Sequence, residues 1–212
     1  VKLTSGKDPS SGFQIVREFS LAVERPHLIC KQTVINISKE TRQVSYWCRT
    51  FALGQGICVV PLSGFSRMPK KHVMCDDHLV INFEAENDYF TERGGFIIVD
   101  GPPAKPKLGF DSMSGWMAYL MRNDLMFIKK WPTFPERVYG EMASLTLSIW
   151  YPAERPMCEL EPIGPREILK PGQSASFTEE WFLAPHKFPG SGPKVNLAAV
   201  KKAVKKLMAP AK

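Results

Sequence analysis

The sequence predicts an all-β fold: an antiparallel β-sandwich followed by one short C-terminal helix. Three observations carry this expectation. Many short runs rich in Val, Ile, Thr, Phe and Tyr recur at close intervals, separated by turn residues. No convincing helical periodicity is present before residue 194. The 18 prolines suit loops and edge strands better than helices.

In chain order, residues 1–11 are polar and turn-rich, and strand-like runs follow at 13–23, 27–37, 43–50 and 57–62. The breaks between them carry Glu-Arg-Pro, Ser-Lys-Glu-Thr and Leu-Gly-Gln-Gly, all turn or loop material. A basic loop at 67–71 precedes strand-like runs at 78–85 and 95–99, and Gly-Pro-Pro-Ala-Lys-Pro-Lys then reads as a connector. Residues 116–121 and 125–131 flank a turn at Asn123-Asp124 and predict a hairpin. In 142–151, Ala143, Leu145, Leu147, Ile149 and Tyr151 alternate with Ser144, Thr146, Ser148 and Trp150, which predicts a core face and a polar face bearing a tryptophan. Residues 158–162 and 174–183 supply two further strands, with 163–173 a loop turning at Pro171-Gly172.

The expected organisation is one β-sandwich domain over residues 1–193 and a basic amphipathic tail over 194–212. The tail places Leu197, Val200, Val204, Leu207 and Met208 at helical spacing with lysines opposite. It holds six lysines and no acid, so the net charge of +7 shrinks to +1 over the rest of the chain. A body this close to neutral argues against nucleic acid as a partner. The tail itself reads as a helix docked on or tethered to the domain, with contact to a membrane surface or nucleic acid as the alternative.

The first residue is Val1, no leader pattern opens the sequence, and the chain is expected to be a fragment. No apolar run reaches the length of a bilayer span. Five cysteines without a Cys-x-x-Cys pair favour a reducing compartment, with a lean to the cytoplasm, and a packing role for most of them. His72, Cys75 and His78 recur at three-residue intervals, but the spacing lacks a fourth ligand and runs into a strand, so no metal is expected. Glycine-rich phosphate loops and serine-hydrolase elbows are also missing. No cofactor is expected.

The segment Cys-Glu-Leu-Glu-Pro-Ile-Gly-Pro-Arg-Glu-Ile-Leu-Lys-Pro-Gly-Gln, with the Trp-ending strand after it, resembles the C-terminal pattern of the galactose-mutarotase-like superfamily. Residues 28–54 resemble that superfamily's strand, Asn-x-Ser bend and strand leading to the site. Together the likeness covers residues 13–185, and within the superfamily it is greatest to a bacterial family related to aldose epimerases. It implies a large antiparallel sandwich with sugar bound on a concave face. Full-length relatives carry further N-terminal strands. The sandwich is therefore partial if those are missing, and its open edges call for a preceding segment or a second copy of the chain as cover.

The resemblance implies that Glu161 matches a general base acting on the anomeric hydroxyl of a sugar. Glu159 lies two residues away on the same strand face and is the neighbouring candidate. The alternative is that both are carboxylates paired to arginines such as Arg49 or Arg166. The family's acid is a histidine, and here Trp47 and Arg49 stand in its stretch. Arginine is too weak an acid to donate readily, and Tyr46 is the remaining proton donor nearby. Trp47, Arg49, Trp131 and Trp150 are the candidate carbohydrate-binding residues, since a flat ring suits the apolar face of a pyranose. Trp116 and Trp181 read as core. The implied function is a carbohydrate-recognising sandwich, either an aldose-epimerase-like isomerase or a non-catalytic binding or structural module that has lost its acid.

Overall fold

The computed structural model describes residues 1–76 and 80–209. Among them, sixteen strands form two antiparallel sheets. The larger runs in spatial order β1 (Lys2–Thr4), β2 (Phe13–Leu21), β3 (His27–Asn36), β16 (Ser174–Pro185), β13 (Leu125–Lys130), β12 (Trp116–Leu120), β6 (Ile57–Pro61), β10 (Phe96–Val99) and β9 (Phe90–Arg93). The smaller runs β4 (Arg42–Trp47), β15 (Met157–Leu169), β14 (Leu147–Trp150), β11 (Lys107–Phe110), β7 (Val73–Cys75) and β8 (Ile81–Asn82), with β5 (Thr50–Leu53) also on β15. No helix among the described residues is long and apolar enough to cross a membrane.

Period-two alternation sorts the apolar residues into layers. Cys58, Val60, Ile97, Val99, Met117 and Tyr119 of the larger sheet meet Leu108, Phe110, Leu147, Ile149, Cys158 and Leu160 of the smaller one in the main core. The opposite face of the larger sheet, with Ile57, Val59, Ile98, Ala118 and Ile128, is covered by α1 (Leu197–Met208) through Val200 and Val204. With both faces covered, β6 and β10 read as unbroken apolar runs. Asn196 caps α1 by accepting from Ala199 N at 3.0 Å. Its lysines at 201, 202, 205 and 206 stay exposed.

Several expected boundaries change. The region 163–173, expected as a loop, belongs largely to β15, a strand of 13 residues. Its two prolines sit where they cost little. Ile163 N donates to Thr146 O at 3.0 Å, so the edge facing β14 is intact. The N–H that Pro162 lacks belongs to the opposite edge, where the partner chain is interrupted between β4 and β5. Pro165 falls within a bulge between Ile163 and Arg166.

The alternation expected over 142–151 holds only from Leu147, because Met142 and Ser144 have positive φ and break the extended backbone. Leu145 consequently packs with Met68, Val73 and Ile163 on the outer face of the smaller sheet. Strands β1, β7, β9 and β11 were not anticipated, being only three or four residues long. Of the run expected at 78–85, Ile81–Asn82 is strand, and residues 77–79 lie outside the described ones.

One charged pair sits between the sheets. Lys129 and Glu179 are each fully buried, with Nζ 2.8 Å from Glu179 Oε2. The ammonium also donates to Thr50 Oγ1 at 2.8 Å and Leu160 O at 2.9 Å, so its three protons all have acceptors. Glu179 accepts from Gln32 at 3.2 Å and from Trp181 Nε1 at 2.9 Å. Gln32 also donates to Cys48 Sγ. All five cysteines are free and buried. Burial pushes the Cys30 thiol up to about 11 and raises those of Cys48, Cys75 and Cys158 as well.

Removing one partner of such a pair strands the other charge in the core. Lys129→Met is expected to cost about 3–5 kcal/mol in urea denaturation, whereas Lys129→Met combined with Glu179→Leu should be far milder. Equal losses for the single and double variants would show that the pair's burial is not what matters.

Candidate functional site

The outer face of the smaller sheet gathers most of the candidate residues. On β15, Cys158 and Leu160 point into the main core, so Glu159 and Glu161 project from the other side. Across the pairing with β14, Trp150 lies opposite Glu159 and Ser148 opposite Glu161. Across the pairing with β5, Phe51 lies opposite Glu159 and is 62% exposed. Lys107 of β11 lies opposite Trp150 and places its ammonium 4.5 Å from the centre of the Trp47 ring.

Glu161 is fully buried and Glu159 nearly so. Trp47 Nε1–H donates to Glu161 Oε2 at 2.8 Å, which fixes that carboxylate's orientation. The other oxygen, Oε1, is buried without a hydrogen bond. Arg49 lies across the pair, its Nε 3.6 Å from Glu161 Oε1 and 3.8 Å from Glu159 Oε2, contacts longer than hydrogen bonds. Its side chain is 58% exposed. The pairing of these glutamates to an arginine is thus present, through Arg49. Arg166 instead lies further along β15, opposite Ser45.

Glu159 is pushed up to about 7 by loss of solvent, with the adjoining Glu161 carboxyl acting in the same direction. Arg49 and Lys107 pull it down. A carboxyl group that titrates near neutrality beside a second carboxyl group can give or take a proton there, which is the requirement of general acid–base chemistry.

Trp47, Arg49, Trp150, Glu159 and Glu161 therefore come together. Trp131 does not: it is 5% exposed and packed in the core between the sheets, because its position after β13 turns it inward. Tyr46 also faces away, stacked 5.9 Å from Phe177 against the main core, with burial holding its phenol well above the usual range. Trp116 and Trp181 pack at Phe96 and Glu179 respectively. Phe51 and Lys107 escaped the sequence reading because strand pairing alone brings them beside Glu159 and Trp47, and Lys107 closes the stretch read as a connector. His72 is buried with Nδ1 2.8 Å from Lys70 O, and His78 lies outside the described residues. Among the described residues no three His, Cys, Asp or Glu side chains are placed to hold a metal ion.

No family model matches this sequence, and no curated protein matches it. Solved structures do match. A protein of Synechocystis sp. PCC 6803 superposes with a TM-score of 0.56 at 13% identity, over 87% of this chain and 61% of its own. A galactose mutarotase-like protein from Lactobacillus casei gives 0.56 at 10% identity, over 86% and 69%. A Klebsiella pneumoniae protein provisionally named an aldose 1-epimerase gives 0.56 at 13% identity, over 100% and 55%. The chain has the galactose-mutarotase-like sandwich fold. It spans between about half and two thirds of the length of these proteins.

The raised Glu159 carboxyl gives a testable titration. In an NMR titration of carboxyl carbons, Glu159 should titrate near 7, and Glu161→Gln should lower it while burial keeps it above the ordinary carboxylate range. Since folding raises this pKa, the associated stability is complete below about 4.5 and is lost as pH rises through about 7. Glu159→Gln should flatten that slope between pH 5 and 8 in denaturation curves. A native Glu159 titrating near 4.5 would contradict the raised carboxyl.

Proposed function

We propose that the chain is a carbohydrate-recognising β-sandwich whose Glu159–Glu161 pair carries out general acid–base chemistry at the anomeric centre of a sugar. The observation that carries this reading is the adjoining Glu159 and Glu161 carboxyl groups, both withdrawn from solvent beside half-buried Trp150 and Trp47 on one sheet face. The mutarotase-like fold supports it.

The histidine acid of the resembled family has no counterpart here, and Glu159 can supply its proton. Glu161 Oε1, with no hydrogen bond of its own, accepts the proton of the anomeric hydroxyl, while protonated Glu159 donates to the ring oxygen as the C–O bond opens. Rotation about the bond next to the freed carbonyl and reversal of both transfers close the ring as the other anomer, so the pair ends with the proton it began with. Trp47 holds Glu161 in place, and Trp150 offers its ring to the apolar face of the sugar. Arg49 has to swing off the carboxylates before a ligand reaches them, and its exposed side chain is free to do so.

Anomer exchange measured by two-dimensional NMR on freshly dissolved aldoses tests this reading. The native chain should accelerate exchange for at least one sugar, and Glu159→Gln and Glu161→Gln should each abolish the acceleration while leaving binding within a few-fold. Trp150→Ala should weaken binding itself. Binding that depends on Trp150 without any acceleration would favour the non-catalytic module, and no binding to any aldose would overturn the proposal.

A further inference from the structure

Beyond the carboxylate pair, a cleft of about 520 Å³ opens at one end of the sandwich, within the size range of small-molecule sites. It is built by the turns that leave β5, β10, β12 and β14, together with Tyr89. Neither glutamate lines it, yet the two places touch. Arg155, in the turn after β14, lines the cleft and also lies 5.5 Å from the centre of the Trp150 ring. Trp150 in turn is the residue opposite Glu159.

The chemistry of the walls is specific. Tyr89 is 46% exposed and lies against Gly101, where a Cβ would come within 2.3 Å of its ring, so this close approach requires glycine. Arg122 and Arg155 are balanced by Asp100 and Glu154, leaving the cleft without net charge while filling it with donors and acceptors. Asp100 accepts from Gly192 N at 2.5 Å, and Arg122 Nε donates to Gln55 O at 3.1 Å, which pins two walls. A neutral cleft of mixed polarity with an aromatic ring at its side and a second at its junction suits a polyhydroxylated, uncharged ligand better than a phosphate or a lipid.

Resting on the carbohydrate reading above, we propose that the ligand is a neutral oligosaccharide: its reducing-end residue lies at Trp150 and the Glu159–Glu161 pair, and further sugar units run past Arg155 into the cleft, against Tyr89. A monosaccharide fills only the first of these positions. The linked sugar gains the contacts of the second without a second loss of translational freedom.

Calorimetry with glucose and galactose against maltotriose, cellotriose and β-1,4-galactotriose tests this. At least one trisaccharide should bind tenfold or more tightly than its monosaccharide. Tyr89→Ala and Gly101→Ala should each erase that advantage with the monosaccharide affinity unchanged, and Tyr89→Phe should retain most of it. Unchanged monosaccharide binding in the variants also certifies that they fold. A monosaccharide that binds as tightly as every trisaccharide, or a trisaccharide advantage that survives Tyr89→Ala, overturns the oligosaccharide site while leaving the proposed function standing. Absence of binding at either length instead removes the carbohydrate reading and this one with it.

Discussion

The missing N–H of Pro162 is the constraint on which core and site both depend. In the middle of β15, a residue that cannot donate leaves one rung of the ladder unmade, and the neighbouring chain departs from the edge between Trp47 and Thr50. Cys48 N still reaches Pro162 O at 3.1 Å, so the departure spans only two residues. Those two residues part company: Cys48 turns inward and is buried, and Arg49 turns outward across the carboxylates. A regular strand through this stretch would place Trp47 and Arg49 on one face in the ordinary pleat, but it would not free the Arg49 backbone from the sheet.

The inward side of this break meets the buried Lys129–Glu179 pair. Cys48 accepts from Gln32, which also binds Glu179, and Thr50 at the start of β5 takes one of the Lys129 protons. The carbonyl of Leu160, between the two site glutamates, takes another. The charged pair thus holds the backbone of β15, through Leu160, and the Thr50 side chain of β5 from behind at the level of the glutamates. Electrostatics inside the sandwich fix the position of electrostatics outside it, and a network with every member satisfied is rigid for the same reason that a broken one is costly.

The strands that are long and β-branched were legible in the sequence, as were the C-terminal helix with its apolar stripe and the same-face placement of Glu159 and Glu161. These depend on local periodicity. What was not legible depends on pairing across the chain. Phe51, Lys107 and Ser148 acquire meaning only from the registers of β5, β11 and β14, and the length of β15 was hidden by prolines whose tolerance is decided by a neighbour's break. Trp131 was misplaced because a tryptophan between lysines and a proline looks exposed, whereas β13 ends by turning it under the sheet. Trp47 was read as a ring, and its N–H donor to Glu161 was not foreseen.

The five buried thiols have a consequence for how the chain meets its surroundings. Thiolates, not thiols, attack alkylating agents and disulfides, and four of these groups are held protonated by burial in the native state. While the sandwich stays closed, oxidants find little to react with. Opening it releases all five at once, so a covalent scar on cysteine would record each excursion of a molecule from its native fold.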